Sequence, residues 1–312
     1  MDAGRVVFFG TTDFSNAVLA ALLEERYNVA AVVTQPDKPV GRKRIMEAPE
    51  VKRFAAERGI PVLQPMKLSA EPECVLLQHP DLIITCAYGQ LIPPVILKAP
   101  KYGCLNIHPS PLPKYRGGAP IQRAVMNGDS RTEVCLMEMA EKMDSGKVYC
   151  RIPAVIDSDT TSSELFEQLK EPAAALIKEA LPAYLDGMLP GEVQDESKVV
   201  IAPNIRREEE QIVFHSESMP SLYNHARGLI ESPMGYGILE GRRIKFAFVR
   251  MQMSTVEEEP GTILGFEDHA MRIAADGGIL LVYELQMEGK ARMNADSFKN
   301  GAGRGLVGKV FD

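Results

Sequence analysis

Four short apolar runs punctuate the N-terminal part of the chain: Arg5–Gly10, Val29–Thr34, Asp81–Cys86 and Cys104–His108. They are apolar almost throughout rather than alternating. A strand reads that way when both of its faces are buried, as in a parallel sheet with helices on either side. The intervening stretches have helical spacing. Phe14–Arg26 places Val18, Leu19, Leu22 and Leu23 on one face. Val51–Arg58 follows Pro49, where a helix tolerates proline. Pro61–Leu63 reads as a short strand and Glu133–Met139 as a further one. The fold class expected is α/β, with a mostly parallel Rossmann-like sheet.

A long helical pattern begins at Thr161, which forms a capping box with Glu164; it should kink or break at Pro172 and end at Gly187. Leu189–Glu210, with its prolines, Gly191 and a run of charge, reads as a linker. Beyond it, one helical stretch (Pro220–Ile230) precedes five short strand-like runs: Gly237–Glu240, Arg242–Arg250, Gly261–Phe266, Ala270–Ala275 and Ile279–Leu285. This predicts a small β-barrel, OB-like. The expected division is a larger domain over 1–188, a linker over 189–208 and a smaller domain over 209–312.

Charge limits the function classes. Residues 1–208 carry 24 Lys and Arg against 27 Asp and Glu, and residues 209–312 carry 11 against 15. Both halves are acidic, which argues against a chain built mainly to coat nucleic acid but leaves room for a local basic patch. The five cysteines include no CxxC pair, so neither zinc nor any other metal is expected, and the thiols read as reduced core residues. No apolar run approaches the roughly 20 residues that span a bilayer, and the first residues lack a secretory pattern. A cytoplasmic protein with no membrane partner is expected, by default a monomer.

Chemistry concentrates after the strand Cys104–His108. Side chains two apart on a strand share a face, so Asn106 and His108 point together while Leu105 and Ile107 point the other way. Two polar groups aimed from the end of an apolar strand need partners, and the carboxyl ends of parallel strands are where ligands bind in open α/β sheets. A stiff segment with three prolines follows, then Gly117-Gly118 and a helix starting near Ala119-Pro120. Asp144, in Lys142-Met143-Asp144-Ser145-Gly146, should stand at the same carboxyl edge. Gly10–Ser15 occupies the place of a dinucleotide turn but lacks its second and third glycines, so NAD is not expected.

The stretch from Asn106 through Gln122, with Met143-Asp144-Ser145-Gly146 after it, resembles the signature of the 10-formyltetrahydrofolate-dependent formyltransferases. Within that family the chain resembles the members that formylate initiator methionyl-tRNA. Phe9–Ser15 is similar to their opening turn, Gln35–Lys43 to the loop that grips the tRNA acceptor arm, and Gly261–Ile263 with Leu285–Lys290 and Phe298–Gly301 to their C-terminal barrel. Lys142 stands where the family often carries glycine, and the chain has no tryptophan.

The resemblance implies 10-formyltetrahydrofolate as formyl donor and an amine as acceptor, with Asn106, His108 and Asp144 as the catalytic set. Asn106 would donate to the developing oxyanion, His108 would stabilise charge or relay a proton, and Asp144 would orient His108 or accept the amine proton through water. The folate would lie against Ala87, Tyr88, Gly89, Gln90, Leu91, Ile92 and Pro93, with Ser110, Leu112, Pro113, Met139 and Met143 around it. The tRNA would meet Arg42, Lys43 and Arg44 in the first domain and Lys245, Lys290 and Arg292 in the second, through phosphate contacts that position without reading sequence. Three other readings stay open: a folate-dependent N-formyltransferase acting on an amino-sugar nucleotide, a deformylase, and a non-catalytic protein that binds tRNA or folate.

Overall fold

A computed structural model of the chain describes residues 3–41 and 44–312. Two compact units divide it. The first holds residues 3–41 and 44–120 together with Arg131–Ala154 and Phe166–Ala202; the second holds Ile121–Ser130, Val155–Leu165 and Pro203–Asp312.

The first unit is built on a seven-stranded sheet. Its order is Val148–Val155, Arg131–Glu138, Cys104–His108, Leu82–Cys86, Arg5–Gly10, Asn28–Val33, Val62–Leu63. The last five strands pair in parallel, as their unbroken apolar runs predict. Arg131–Glu138 runs antiparallel to Cys104–His108, with Leu105 opposite Glu138 and His108 opposite Cys135. Both sheet faces are closed: Val6, Val7, Phe8, Phe9, Ile83 and Ile84 are all fully buried. On one face Val7, Phe9 and Ile83 pack with Val75 and Ile96 from the short helices Glu73–Leu76 and Pro94–Leu97.

Several local expectations have visible causes here. Thr161 and Glu164 form the capping box reciprocally, Thr161 N–H to Glu164 Oε2 at 2.8 Å and Glu164 N–H to Thr161 Oγ1 at 3.2 Å. The long helical pattern does break near Pro172: it is divided into Ser162–Gln168, Lys170–Ala175, a π-helical turn Leu176–Ala180 and Leu181–Leu185. Gly187 ends it at φ +68°. The strand Val148–Val155 escaped the sequence reading because it carries Pro153 and mixed polarity. It lies at the sheet edge, the one place where a strand accommodates proline.

The stretch expected as a linker is different in kind up to Ala202. Glu192 bridges Val148 in antiparallel fashion, and Val200–Ile201 pairs in parallel with the short strand Lys114–Arg116. These bonds make residues 192–202 a strap sewn onto the first unit at both ends.

The second unit is an antiparallel sheet in the order Tyr236–Leu239, Arg242–Met253, Gly278–Met287, Ala270–Ala275, Ile263–Glu267, with Met293–Asn294 added to Gly278–Met287. Its two edges are joined by the end of the chain: Phe311 bridges Leu239 on one edge, and Val310 bridges Thr262 beside the other. That stitch closes the sheet around a core including Phe246, Phe298 and Phe311. The helix Met219–Gly228 contributes Leu222, Tyr223 and Ala226 to the same core. Arg227, 3% exposed, donates to the carbonyls of Asp157 (3.3 Å) and Thr160, which ties the segment Val155–Leu165 into this unit. The five cysteines are free thiols; Cys86, Cys104 and Cys135 are buried.

Candidate active site

Pairing register determines which way the strand Cys104–His108 aims its side chains. Cys104 belongs to the cluster with Ile83 and Ile96, so Asn106 and His108 rise on that same face and Leu105 and Ile107 on the other. Asn106 stands beside Thr85 in register, and the Thr85 hydroxyl donates to Asn106 Oδ1 at 2.8 Å. With its oxygen engaged, Asn106 keeps its amide N–H groups for something else.

His108 is 5% exposed. Its Nε2 lies 3.1 Å from the Tyr115 carbonyl, which only accepts, so Nε2 carries a proton. In the neutral ring Nδ1 is then an acceptor. It faces Asp144 Oδ2 at 3.9 Å, beyond hydrogen-bond length but within reach through one bridging atom. Asp144 Oδ2 in turn accepts from Gly117 N–H at 2.8 Å.

Asp144 reaches this position by a route the sequence did not indicate. Parallel topology would have put it at the carboxyl edge beside His108. The strand before it is antiparallel, and Glu138 ends opposite Leu105, three residues or about 10 Å short of His108. The loop 139–146 therefore folds back over the sheet face to deliver the carboxylate. Two glycines make this possible. A Cβ on Gly146 would lie 2.0 Å from the Glu138 carbonyl, and one on Gly117 would lie 2.5 Å from the Ala202 carbonyl at a φ of +129°.

The strap completes the surroundings. Gln194 Nε2 donates to the carbonyls of Asp144 (2.9 Å) and Gly146 (2.7 Å), and its Oε1 accepts from Arg116 Nε at 3.0 Å. Arg116, 2% exposed, also pairs with Glu196 at 2.8 Å, and Glu196 with Lys142 at 2.5 Å. The Arg116 and Lys142 hydrogen bonds hold the Glu196 carboxyl down at about 2. Sequence reading names Gly117 for its turn but gives it no part in holding Asp144, and it does not single out Thr85, Arg116 or Gln194. Of these three only Arg116 lies inside the motif.

The residues expected around folate divide by exposure. Ala87, Gly89 and Leu91 are exposed, whereas Tyr88 and Ile92 are buried in the cluster that borders Asn106 and His108. The loop holds an unusual backbone, with Ala87 at φ +50° and Gly89 at +90°, and the Tyr88 carbonyl is fixed by Thr11 Oγ1 and Gln35 Nε2, both at 2.9 Å. Gln90 accepts from Leu68 N–H, and Pro93 caps the helix Pro94–Leu97. Leu112 packs with Cys135, Met137 and Val148 as a second apolar wall, and Pro113 follows it half-buried. Burial against that wall pushes the Cys135 thiol up to about 12, which makes it a packing residue. Met139 is half-buried beside Thr85, and Met143 is exposed. Ser110 is fully buried, and its hydroxyl has no hydrogen-bond partner among the described residues. Buried apolar side chains, an orphan hydroxyl and spare amide donors suit a flat heterocycle with polar edges.

The basic residues fall in two places. Arg42 and Lys43 lie outside the described residues. Arg44 is exposed at the tip of a hairpin, Lys38–Val40 with Ile45–Glu47. In the second unit Lys245 stands opposite Gln286, whose side chain donates to the Lys290 carbonyl, so the two lysines share one neighbourhood. Arg243 lies on the same strand face as Lys245 and covers the Tyr236 ring at 4.7 Å. Arg292 is occupied otherwise, by Glu284 at 2.6 Å and Glu231 at 3.3 Å.

A mostly parallel α/β sheet carries an amide and an imidazole on one face, and a glycine-dependent loop brings a carboxylate to 3.9 Å from the imidazole, an arrangement suited to group transfer of the formyl transferase kind. The chain belongs to that family: residues 4–181 match the formyl transferase family model, and residues 204–303 match the model of the formyl transferase C-terminal domain. It is similar to the methionyl-tRNA formyltransferase of Halalkalibacterium halodurans, 43% identical over 98% of both chains. It is likewise similar to the methionyl-tRNA formyltransferase of Bacillus subtilis, 42% identical over 96% of this chain and 95% of that one. Among solved structures it resembles HypX from Aquifex aeolicus in complex with tetrahydrofolic acid, with a TM-score of 0.71 over 97% of this chain at 17% identity. It spans 48% of that longer chain, and the likeness is one of fold.

Proposed function

We propose that this protein transfers the formyl group of 10-formyltetrahydrofolate to the free amino group of methionine on initiator methionyl-tRNA, for translation initiation. The observation that carries the reading is the Asn106–His108–Asp144 arrangement, set in a chain that matches methionyl-tRNA formyltransferases from end to end. That match takes in the second unit as well as the first.

The amine nitrogen attacks the formyl carbon, and the carbonyl electrons move onto oxygen. Asn106, its Oδ1 held by Thr85, donates an amide hydrogen to that oxyanion. His108 Nδ1 takes the proton released by the nitrogen, and Asp144 steadies the resulting imidazolium. Collapse of the intermediate re-forms the carbonyl and breaks the bond to N10 of the folate. That nitrogen leaves with the proton returned from His108, and N-formylmethionyl-tRNA and tetrahydrofolate are the products.

The folate lies against the Ala87–Pro93 loop, Ser110, Leu112, Pro113 and Met139, with Met143 at the rim. The tRNA lies against Arg42, Lys43 and Arg44 in the first domain and against Lys245 and Lys290 in the second. The protein acts by default as a monomer. Among the described residues no helix is long and apolar enough to cross a membrane, and the proposed work is cytoplasmic.

Purified protein would be incubated with 10-formyltetrahydrofolate and either methionyl initiator tRNA or an amino-sugar nucleotide. Formylation of the charged tRNA alone is expected; formylation of the sugar alone would overturn the acceptor.

A further inference from the structure

Asp144 stands at φ +49°, in the left-handed region that side-chain-bearing residues rarely occupy, and its neighbours Glu141, Lys142 and Met143 are exposed. A backbone in that state persists only where its surroundings over-determine it. Within the loop Ser145 donates to the Lys142 carbonyl, through Oγ at 2.8 Å and N–H at 3.4 Å, and neither bond reaches the carbonyls of Asp144 or Gly146. What holds the carbonyls on either side of Ser145 is Gln194, from the strap.

We infer that Gln194 is a positioning residue that fixes the Asp144 carboxylate against His108, with Arg116 setting the sense of its amide. Gln194 is 5% exposed and both polar atoms of its side chain are engaged. Arg116 can only donate, so Gln194 Oε1 must face it. The Nε2 group is then turned toward the two carbonyl oxygens of the loop. A second clamp runs outside the first, from Arg116 through Glu196 to Lys142, and grips the opposite shoulder of the loop. Lys142 is the side chain that completes this outer latch.

The inference rests on the formyl-transfer reading for its kinetic test and stands apart from it in a structural one. Gln194→Met keeps length and burial but removes the amide. The kcat for formyl transfer is expected to fall by about 30- to 100-fold, the scale of a displacement near 1 Å, with KM for the formyl donor within about threefold. Because Gln194 acts through Asp144, the same change made in an Asp144→Asn protein is expected to cost less than about twofold more. Amide hydrogen exchange over 142–146 is expected to accelerate in Gln194→Met at a temperature where both proteins are folded.

Glu196→Ala, at an exposed carboxylate, tests the outer clamp should Gln194→Met not fold, with about a three- to tenfold loss of kcat expected. Wild-type turnover within about twofold of either variant, or additive losses in the double variant, would overturn the inference. A wild-type enzyme inert toward methionyl-tRNA would sink the proposed acceptor; exchange over 142–146 would then decide, faster supporting the positioning role and unchanged ending it.

Discussion

The Thr85 hydroxyl sits between two residues of the neighbouring elements, donating to Asn106 Oδ1 at 2.8 Å and lying 3.6 Å from the Met139 sulfur. Among the described residues no other side-chain hydrogen bond orients the Asn106 amide, so this hydroxyl decides which end of it faces the reaction. Thr85→Val keeps the shape and deletes the hydroxyl. The loss expected is about tenfold in kcat, equivalent to roughly 1.4 kcal/mol, with melting little changed. Steady-state formyl transfer checks it, and an unchanged kcat would release Asn106 from dependence on Thr85.

Asn106 itself carries a larger expectation. Removing one oxyanion donor costs about 10²–10³-fold in kcat. Asn106→Ala should show that loss while still binding tetrahydrofolate, measured by calorimetry alongside turnover. A variant that binds folate poorly and turns over normally at saturation would move Asn106 from the reaction to the binding site.

Gly117 lends its N–H to Asp144 and has no room for a Cβ, which would meet the Ala202 carbonyl at 2.5 Å. Gly117→Ala must push the strap and the donor apart. A loss of about 100-fold in kcat is expected, since displacement near 1 Å costs about that much. Proteolysis between 189 and 202, followed by mass spectrometry, should become easier in the same variant.

His225 makes stability depend on pH. Burial draws its pKa down, but the hydrogen bonds at Glu217 (3.1 Å) and the Glu209 carbonyl (2.7 Å) outweigh burial and leave it above the ordinary 6.5. A histidine with a raised folded pKa stabilises fully below 6.5, and the stabilisation disappears as pH rises through the folded value. His225→Gln should therefore melt roughly 2–4 °C below wild type at pH 6 and converge with it by pH 8.5. A constant gap across that range would show that the imidazole charge is not what matters.

The basic residues of the second unit should behave unequally. Lys245 and Lys290 have no carboxylate within ion-pair distance among the described residues, whereas Arg292 has two. Lys245→Ala and Lys290→Ala should each raise KM for methionyl-tRNA and shallow its salt dependence by about one unit of slope. Arg292→Ala should act on melting instead. Equal effects on tRNA from all three would dissolve the distinction.

What could be read from sequence follows the range of the forces involved. The parallel strands were legible because burial on both faces leaves no polar position, and Asn106 and His108 shared a face because strand period is two. The Thr161–Glu164 box was legible because it is complete within four residues. The direction of Arg131–Glu138 was not, because pairing sense is set by register against a distant strand. It misplaced the route of Asp144 but not its destination. The strap was misread for a related reason. Proline, glycine and charge mark a chain without regular structure, and 192–202 has little, yet Gln194 is buried through partners 48, 50 and 78 residues away.

The segments 121–130 and 155–165 belong to the second unit while lying, along the chain, inside the first. Arg123 meets Glu209 at 2.6 Å, and Arg227 meets carbonyls at 157 and 160. The two units are thus interleaved, not strung in series. Neither is a cassette: a graft of 203–312 onto another catalytic unit would arrive with its arginines and carboxylates seeking counterparts left behind in the donor. Exchange between such proteins has to carry those inner segments along, or rebuild them.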